Sequence, residues 1–100
     1  MNWNDLYSQI GNIKAKAITE IINLLPKIEN HKDFDWESGF LQMEDMEMLV
    51  DGEIRYVNGI NKNRIIQTID GYETDIYTLE VYDLIYLGEQ LDLMLNGNKE

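Results

Sequence analysis

Apolar residues fall at Trp3, Leu6, Ile10, Ile13, Ala17, Ile21, Leu24 and Ile28, three or four positions apart without a break. At 3.6 residues per turn that spacing stacks them on one face, so the chain opens with an amphipathic helix. Ile18, Ile22 and Leu25 widen the stripe toward its end. Asn2 or Asn4 is placed to cap the first turn, and Asp5 suits the positive helix end. Leu25 precedes Pro26, whose ring disfavours α geometry in the residue before it, so the helix is predicted to stop or kink there, spanning 3–25. Gly11 weakens its first half.

The period then changes. Asp51-Gly52, Asn58-Gly59 and Asp70-Gly71 punctuate the middle of the chain, each flanked by β-forming residues. Such dipeptides supply the positive φ angles of tight hairpin turns. They predict strands over Met46–Val50, Glu53–Val57, Ile60–Ile69 and Tyr72–Thr78, an antiparallel meander. A two-residue turn at 51–52 sets Leu49 opposite Ile54. One at 70–71 sets Ile65 opposite Ile76 and Thr68 opposite Glu73. The middle turn is the least defined, because 58–63 also reads as a longer loop, and Phe40–Met43 offers a fifth strand.

Helical spacing returns at Val81, Leu84, Gly88, Leu91 and Leu95. The second helix is predicted over 79–95, with Thr78 as N-cap and Asn96-Gly97 as its stop. Gly88, costly inside a helix, points to close approach of the first helix. The order gives an α+β fold: an N-terminal helix, a four-stranded antiparallel β-meander and a C-terminal helix. They form a two-layer sandwich with both helices on one sheet face. One hundred residues make a single domain, 1–100, with enough chain for one core.

Charge changes the picture more than composition does. Nineteen acidic residues against eight basic ones give a net charge of −11. The excess is segmental: +1 over residues 1–28, −8 over 29–54, +3 over 55–69 and −7 over 70–100. A chain of this charge repels nucleic acid and anionic membrane and attracts basic surfaces. It therefore argues against a double-stranded-RNA-binding domain, which the helix–strands–helix order would otherwise suggest. With no Cys there is neither a disulfide framework nor a thiolate zinc site. No signal-peptide pattern opens the chain and no segment has the length of a membrane span, so a cytoplasmic location is expected.

Catalytic and cofactor chemistry find little footing. His31 is the sole histidine, in a polar stretch, and neither Ser8 nor Ser38 lies in a nucleophile-elbow setting. Residues 58–64 lack the ending of a phosphate loop. Asp33, Asp35, Glu37 and Glu44 occupy positions 1, 3, 5 and 12 of a calcium-loop pattern, but position 6 is Ser38 instead of Gly, so the bend is missing. No enzyme, no cofactor and no metal site is expected.

The acidic segment is the candidate site. Asp33, Asp35, Glu37, Glu44, Asp45, Glu47, Asp51 and Glu53 lie close together, with Trp36, Phe34, Phe40, Met43, Met46 and Met48 interleaved. The carboxylates suit Lys and Arg on a partner, while aromatic and Met groups give adaptable contact area. The competing reading is an ordinary solvated face over a core. Arg55, Lys62 and Arg64 are expected to pair with these acids across strands. The first helix has two competing uses as well: covering its own sheet, or forming a homodimer through helix 3–25.

Met1-Asn2-Trp3-Asn4-Asp5-Leu6, followed by Ile10, resembles the opening of small acidic phage-encoded anti-CRISPR proteins that inhibit Cas9. The resemblance covers about ten residues and carries over no functional residue. It implies a class: acidic proteins that occupy a nucleic-acid-binding surface, with carboxylates standing where phosphates would lie. The expected function is thus a non-enzymatic, DNA-mimic-like inhibitor, phage- or mobile-element-encoded, that covers a basic protein surface and touches neither nucleic acid nor membrane. The alternative is a housekeeping interaction module, an immunity or assembly protein, whose acidity serves solubility and specificity.

Overall fold

The computed structural model describes residues 2–97, with Leu6 and Tyr7 described by backbone alone. Helix α1 spans Trp3–Leu24, and Asn2 caps it by accepting the Asp5 N–H at 2.9 Å. The α-helix ends just before Pro26, as expected, but Pro26 does not release the chain from helical structure. It tightens the helix into a 3-10 segment, Leu25–Asn30, that keeps Leu25 and Ile28 in the core.

The meander consists of β1 (Phe40–Val50), β2 (Glu53–Asn61), β3 (Ile65–Thr68) and β4 (Glu73–Asp75), in sheet order β1-β2-β3-β4. Its first hairpin follows the sequence reading. Asp51 and Gly52 have φ of 50° and 84°, and Leu49 pairs with Ile54. The strands differ from expectation in three places.

Phe40–Met43 is not a fifth strand but the start of β1. Asn58-Gly59 is not a turn: β2 runs through it, and the chain reverses at 62–64. There Asn61 Oδ1 accepts the N–H groups of Asn63 and Ile65, and Arg64 takes the positive φ of 69°. Gly59 is needed for closeness, since a Cβ on it would lie 3.3 Å from the Leu41 carbonyl oxygen. The third hairpin has a three-residue loop, Ile69–Gly71, with Gly71 at φ 88°. Thr68 N–H therefore bonds the Tyr72 carbonyl, and Ile65 pairs with Asp75 and Gln67 with Glu73. That is one residue away from the expected register. The Thr68 hydroxyl selects this loop by accepting the Tyr72 N–H and donating to Asp70. Asp75 then accepts the Tyr77 N–H and turns the chain into a short 3-10 segment, Ile76–Thr78, which ends β4 early.

Helix α2 spans Val81–Asn96 and stops at Gly97, φ 65°. Its N-cap is Glu80, not Thr78, whose hydroxyl donates to the Asp75 carbonyl instead. The two helices run side by side in the same direction: Ile21 meets Gly88, and Lys27 Nζ donates to Asn96 Oδ1. Ile21 and Ile28 from the first helical segment, Leu41, Met48, Ile60 and Ile66 from the sheet, and Leu84, Leu87 and Leu91 from α2 form one core. The opposite sheet face stays open, with Leu49, Ile54 and Tyr56 exposed. Among the described residues no helix is long and apolar enough to cross a membrane.

Candidate functional site: an acidic bulge and its groove

The pairing of β1 with β2 jumps from Gln42–Gly59 to Met46–Val57. Three residues, Met43, Glu44 and Asp45, thus face Asn58 alone. A bulge of this kind bends its strand and re-aims side chains. Met43 and Met46 both remain buried, while consecutive Glu44 and Asp45 both reach solvent. Strict alternation would have sent one of the two carboxylates inward. Asn58 Oδ1, opposite the bulge, is buried with no hydrogen-bond partner among the described residues.

Beside the bulge lies a groove of ≈ 490 Å³. Its apolar surface comes from Met43, Met46 and Met94, its wall from Tyr86 and Gln90, and its rim from His31, Lys32, Asp33, Glu44 and Asp45. The 31–33 segment is held there by two bonds: Gln42 N–H donates to the Asp33 carbonyl, and Asp33 N–H donates to His31 Nδ1. The rim carries three carboxylates against one lysine. Among the described residues Glu44, Asp45 and Glu47 form no ion pair.

The nine residues singled out from sequence do not form one site. Asp33, Glu44 and Asp45 meet at the groove. Asp35, Trp36 and Glu37 lie in the loop before β1. Asp35 is used there to build a turn, accepting the Glu37 N–H at 3.0 Å. Hydrogen bonds from Ser38 and from that N–H hold its carboxyl below the usual carboxylate range. Trp36 is exposed, with its ring edge-on to buried Phe34. Glu47 faces Tyr56 on the open sheet surface, near Leu49, Ile54 and Tyr82.

Asp51 and Glu53 are committed to the tip of the sheet. Asp51 accepts the Tyr72 hydroxyl, which pushes the Tyr72 pKa up. Glu53 pairs with Arg55 at 2.8 Å. Arg55 also reaches Asp70 at 3.2 Å and lies over the Tyr72 ring. Of the other expected cross-strand cations, Lys62 pairs with Glu29 instead, and Arg64 donates to the Tyr77 hydroxyl.

The α2 side of the groove was missed from sequence. Its signal was present: Tyr86, Gln90 and Met94 recur every four residues, beside the core stripe of Leu84, Leu87 and Leu91. Compared with known proteins, the chain matches no protein family, no curated protein and no solved structure.

Proposed function

We propose that the protein is a non-enzymatic binding protein that occupies a basic surface of a partner protein, with the bulge groove as its contact. The observation that carries this reading is the outward pair Glu44 and Asp45, in no ion pair among the described residues and set over a methionine floor. Long Lys and Arg side chains fit such a place, since their aliphatic stems lie on apolar surface while the cation meets carboxylates. Methionine adapts to stems of different shape. Glu47 and Asp33 extend the acidic field on either side and steer association.

A basic surface that binds an acidic protein is often one that binds nucleic acid, and the reading extends to an inhibitor of such a protein, of the anti-CRISPR kind that the opening residues resemble. The exposed apolar set of Leu49, Ile54 and Tyr56 beside Glu47 favours a second reading, an assembly or immunity module whose partner surface is mixed.

The test is the triple substitution Glu44→Gln, Asp45→Asn, Glu47→Gln, with a partner captured from the source cell and eluted on a salt gradient. Association is expected to slow steeply with salt for the parent protein and to lose most of that dependence in the variant. Nucleic acid is expected to compete for the same partner surface. An unchanged affinity and salt slope in the variant would overturn the proposal. Failure of nucleic acid to compete, with the salt slope intact, would leave the assembly module as the reading.

A further inference from the structure

β1 lies at the edge of the sheet, and its outer side is paired only at the start. There the chain supplies its own short extra strand. Asp35 N–H donates to the Phe40 carbonyl at 2.9 Å and Gln42 N–H to the Asp33 carbonyl at 3.0 Å, around a Phe34–Leu41 bridge. Beyond Gln42 no described strand continues that pairing. The two-residue turn at 51–52 makes Val50 and Glu53 a hydrogen-bonded pair, so Met48 also bonds β2, while Glu47 and Leu49 aim N–H and C=O outward. The Leu49 N–H shows this direction, because its acceptor is Asp83 Oδ2 of α2, at 3.1 Å. Among the described residues no side chain accepts from the Glu47 N–H, two positions earlier on the same side.

Unpaired edge backbone is a template for a further strand. Two grooves lie along this edge. The bulge groove runs beside 42–46, and a second, of ≈ 460 Å³, runs beside 47–49. Leu49, Ile54 and Tyr82 give the second its apolar surface, and Glu47, Glu80 and Asp83 border it. In strand addition the main-chain bonds give affinity, while pockets for alternate side chains give specificity. A strand added beside Glu44–Leu49 lays its side chains along both grooves.

Charge selects the occupant. Each groove carries three carboxylates, and Lys32 is the one lysine or arginine that lines either. A second copy pairing edge to edge would set Glu44, Asp45 and Glu47 against their own kind, and like charges on an edge are how a sheet is guarded against self-association. A strand bearing Lys or Arg meets attraction instead. We propose that an extended, Lys- or Arg-bearing segment of the partner protein adds to the free edge of β1 beside Glu44–Leu49. This rests on the reading of the bulge groove as the contact for a basic partner, and it gives that contact its form.

The probe is a short peptide of alternating Lys and Val, titrated into the full chain and followed by calorimetry and amide exchange. It is expected to bind and to protect the Glu47 amide, while a peptide of alternating Glu and Val is expected not to bind. Methylating the peptide's own amides at every second residue removes the donors along one of its edges. Of the two forms so made, one is expected to bind about tenfold more weakly or worse, and the other like the unmethylated peptide. Glu47→Pro removes an outward donor where an edge strand tolerates proline, and is expected to weaken binding more than Glu47→Gln, which removes only the charge. Equal binding by the unmethylated peptide and both methylated forms overturns the added strand, because charge alone then holds the peptide. The basic-partner reading survives that result and is judged separately by the salt slope of the triple variant. A Lys/Val peptide that does not bind, or that protects only amides outside 44–49, also overturns the proposal.

Discussion

The carboxylates at the sheet tip and those at the β1 bulge are the same chemistry in two situations. At the tip, Glu53 and Asp70 share Arg55, Asp70 also accepts from Thr68, and Asp51 holds the Tyr72 hydroxyl. At the bulge, Glu44 and Asp45 form no ion pair among the described residues and border a groove instead. Density of negative charge along the chain does not separate the two. The local backbone does: a regular hairpin brings acids onto a neighbour's arginine, whereas a bulge turns two consecutive acids outward. Acidic residues that the fold leaves unneutralised are the ones available to a partner.

The contrast is sharpest at the tip's own turn. Gly71→Val is expected to cost about 2 kcal/mol or somewhat more, because a β-branched residue at φ 88° is strained and the loop fixes the Thr68–Tyr72 pairing. Urea unfolding measures it; a loss under about 0.5 kcal/mol would mean that the tip is not held by this turn.

Arg55→Ala is expected to cost about 1–2 kcal/mol, from lost packing over Tyr72 and from Glu53 and Asp70 left without their cation. Arg55→Lys should recover part of this, because a point charge replaces a flat, multiply bonded group. If Arg55→Ala proves neutral, the tip acids are no more committed than those at the bulge.

A smaller effect separates the regions by pH. The Thr68 hydrogen bond, with Arg55 adding to it, holds the Asp70 carboxyl below its ordinary range. Its stabilising contribution is then complete above the ordinary carboxylate pKa of about 4 and is lost as pH falls through the depressed folded value. Amide protection factors at Thr68 and Tyr72, corrected for the intrinsic exchange rate, are expected to fall in that acid window, and Asp70→Asn is expected to be less stable at neutral pH with a flatter acid slope. A parallel slope in the variant would show that Asp70 does not carry the effect.

The smallest stability effect belongs to the bulge. Glu44→Gln, Asp45→Asn and Glu47→Gln together are expected to shift stability by under about 0.5 kcal/mol, toward stabilisation, because they relieve repulsion and break no internal pair. A marked loss on thermal unfolding would reveal an internal role and remove the difference between the two regions.

Part of this was legible in the chain. Asp51-Gly52 carried its turn type and register with it, because both positive φ values and the flanking Leu49 and Ile54 are local facts. Asn58-Gly59 carried the same signal and meant something else. Its glycine answers to the Leu41 carbonyl of another strand, which no local pattern records. The candidate site was half legible for a similar reason. The acids and methionines of β1 are adjacent in sequence, but the wall of Tyr86, Gln90 and Met94 arrives from α2, about forty residues later.

The sequence by itself determined the two helices, the number and antiparallel order of the strands, the first hairpin and the uneven charge, since periodicity, turn residues and ionisable groups act over a few residues. Only the tertiary structure decided that 43–45 bulge against Asn58, that the last hairpin shifts by one residue around the Thr68 hydroxyl, and that the stripe of α1 is exposed at Ile10 and Ile13 and buried at Ala17, Ile21 and Leu25. The first and last depend on how far a distant element reaches, β2 beside β1 and α2 beside α1, whereas the hairpin shift turns on a hydroxyl four residues from its partner. Reach of that kind is fixed by packing many residues at once, and a helix can bury its apolar face only along the length its partner covers.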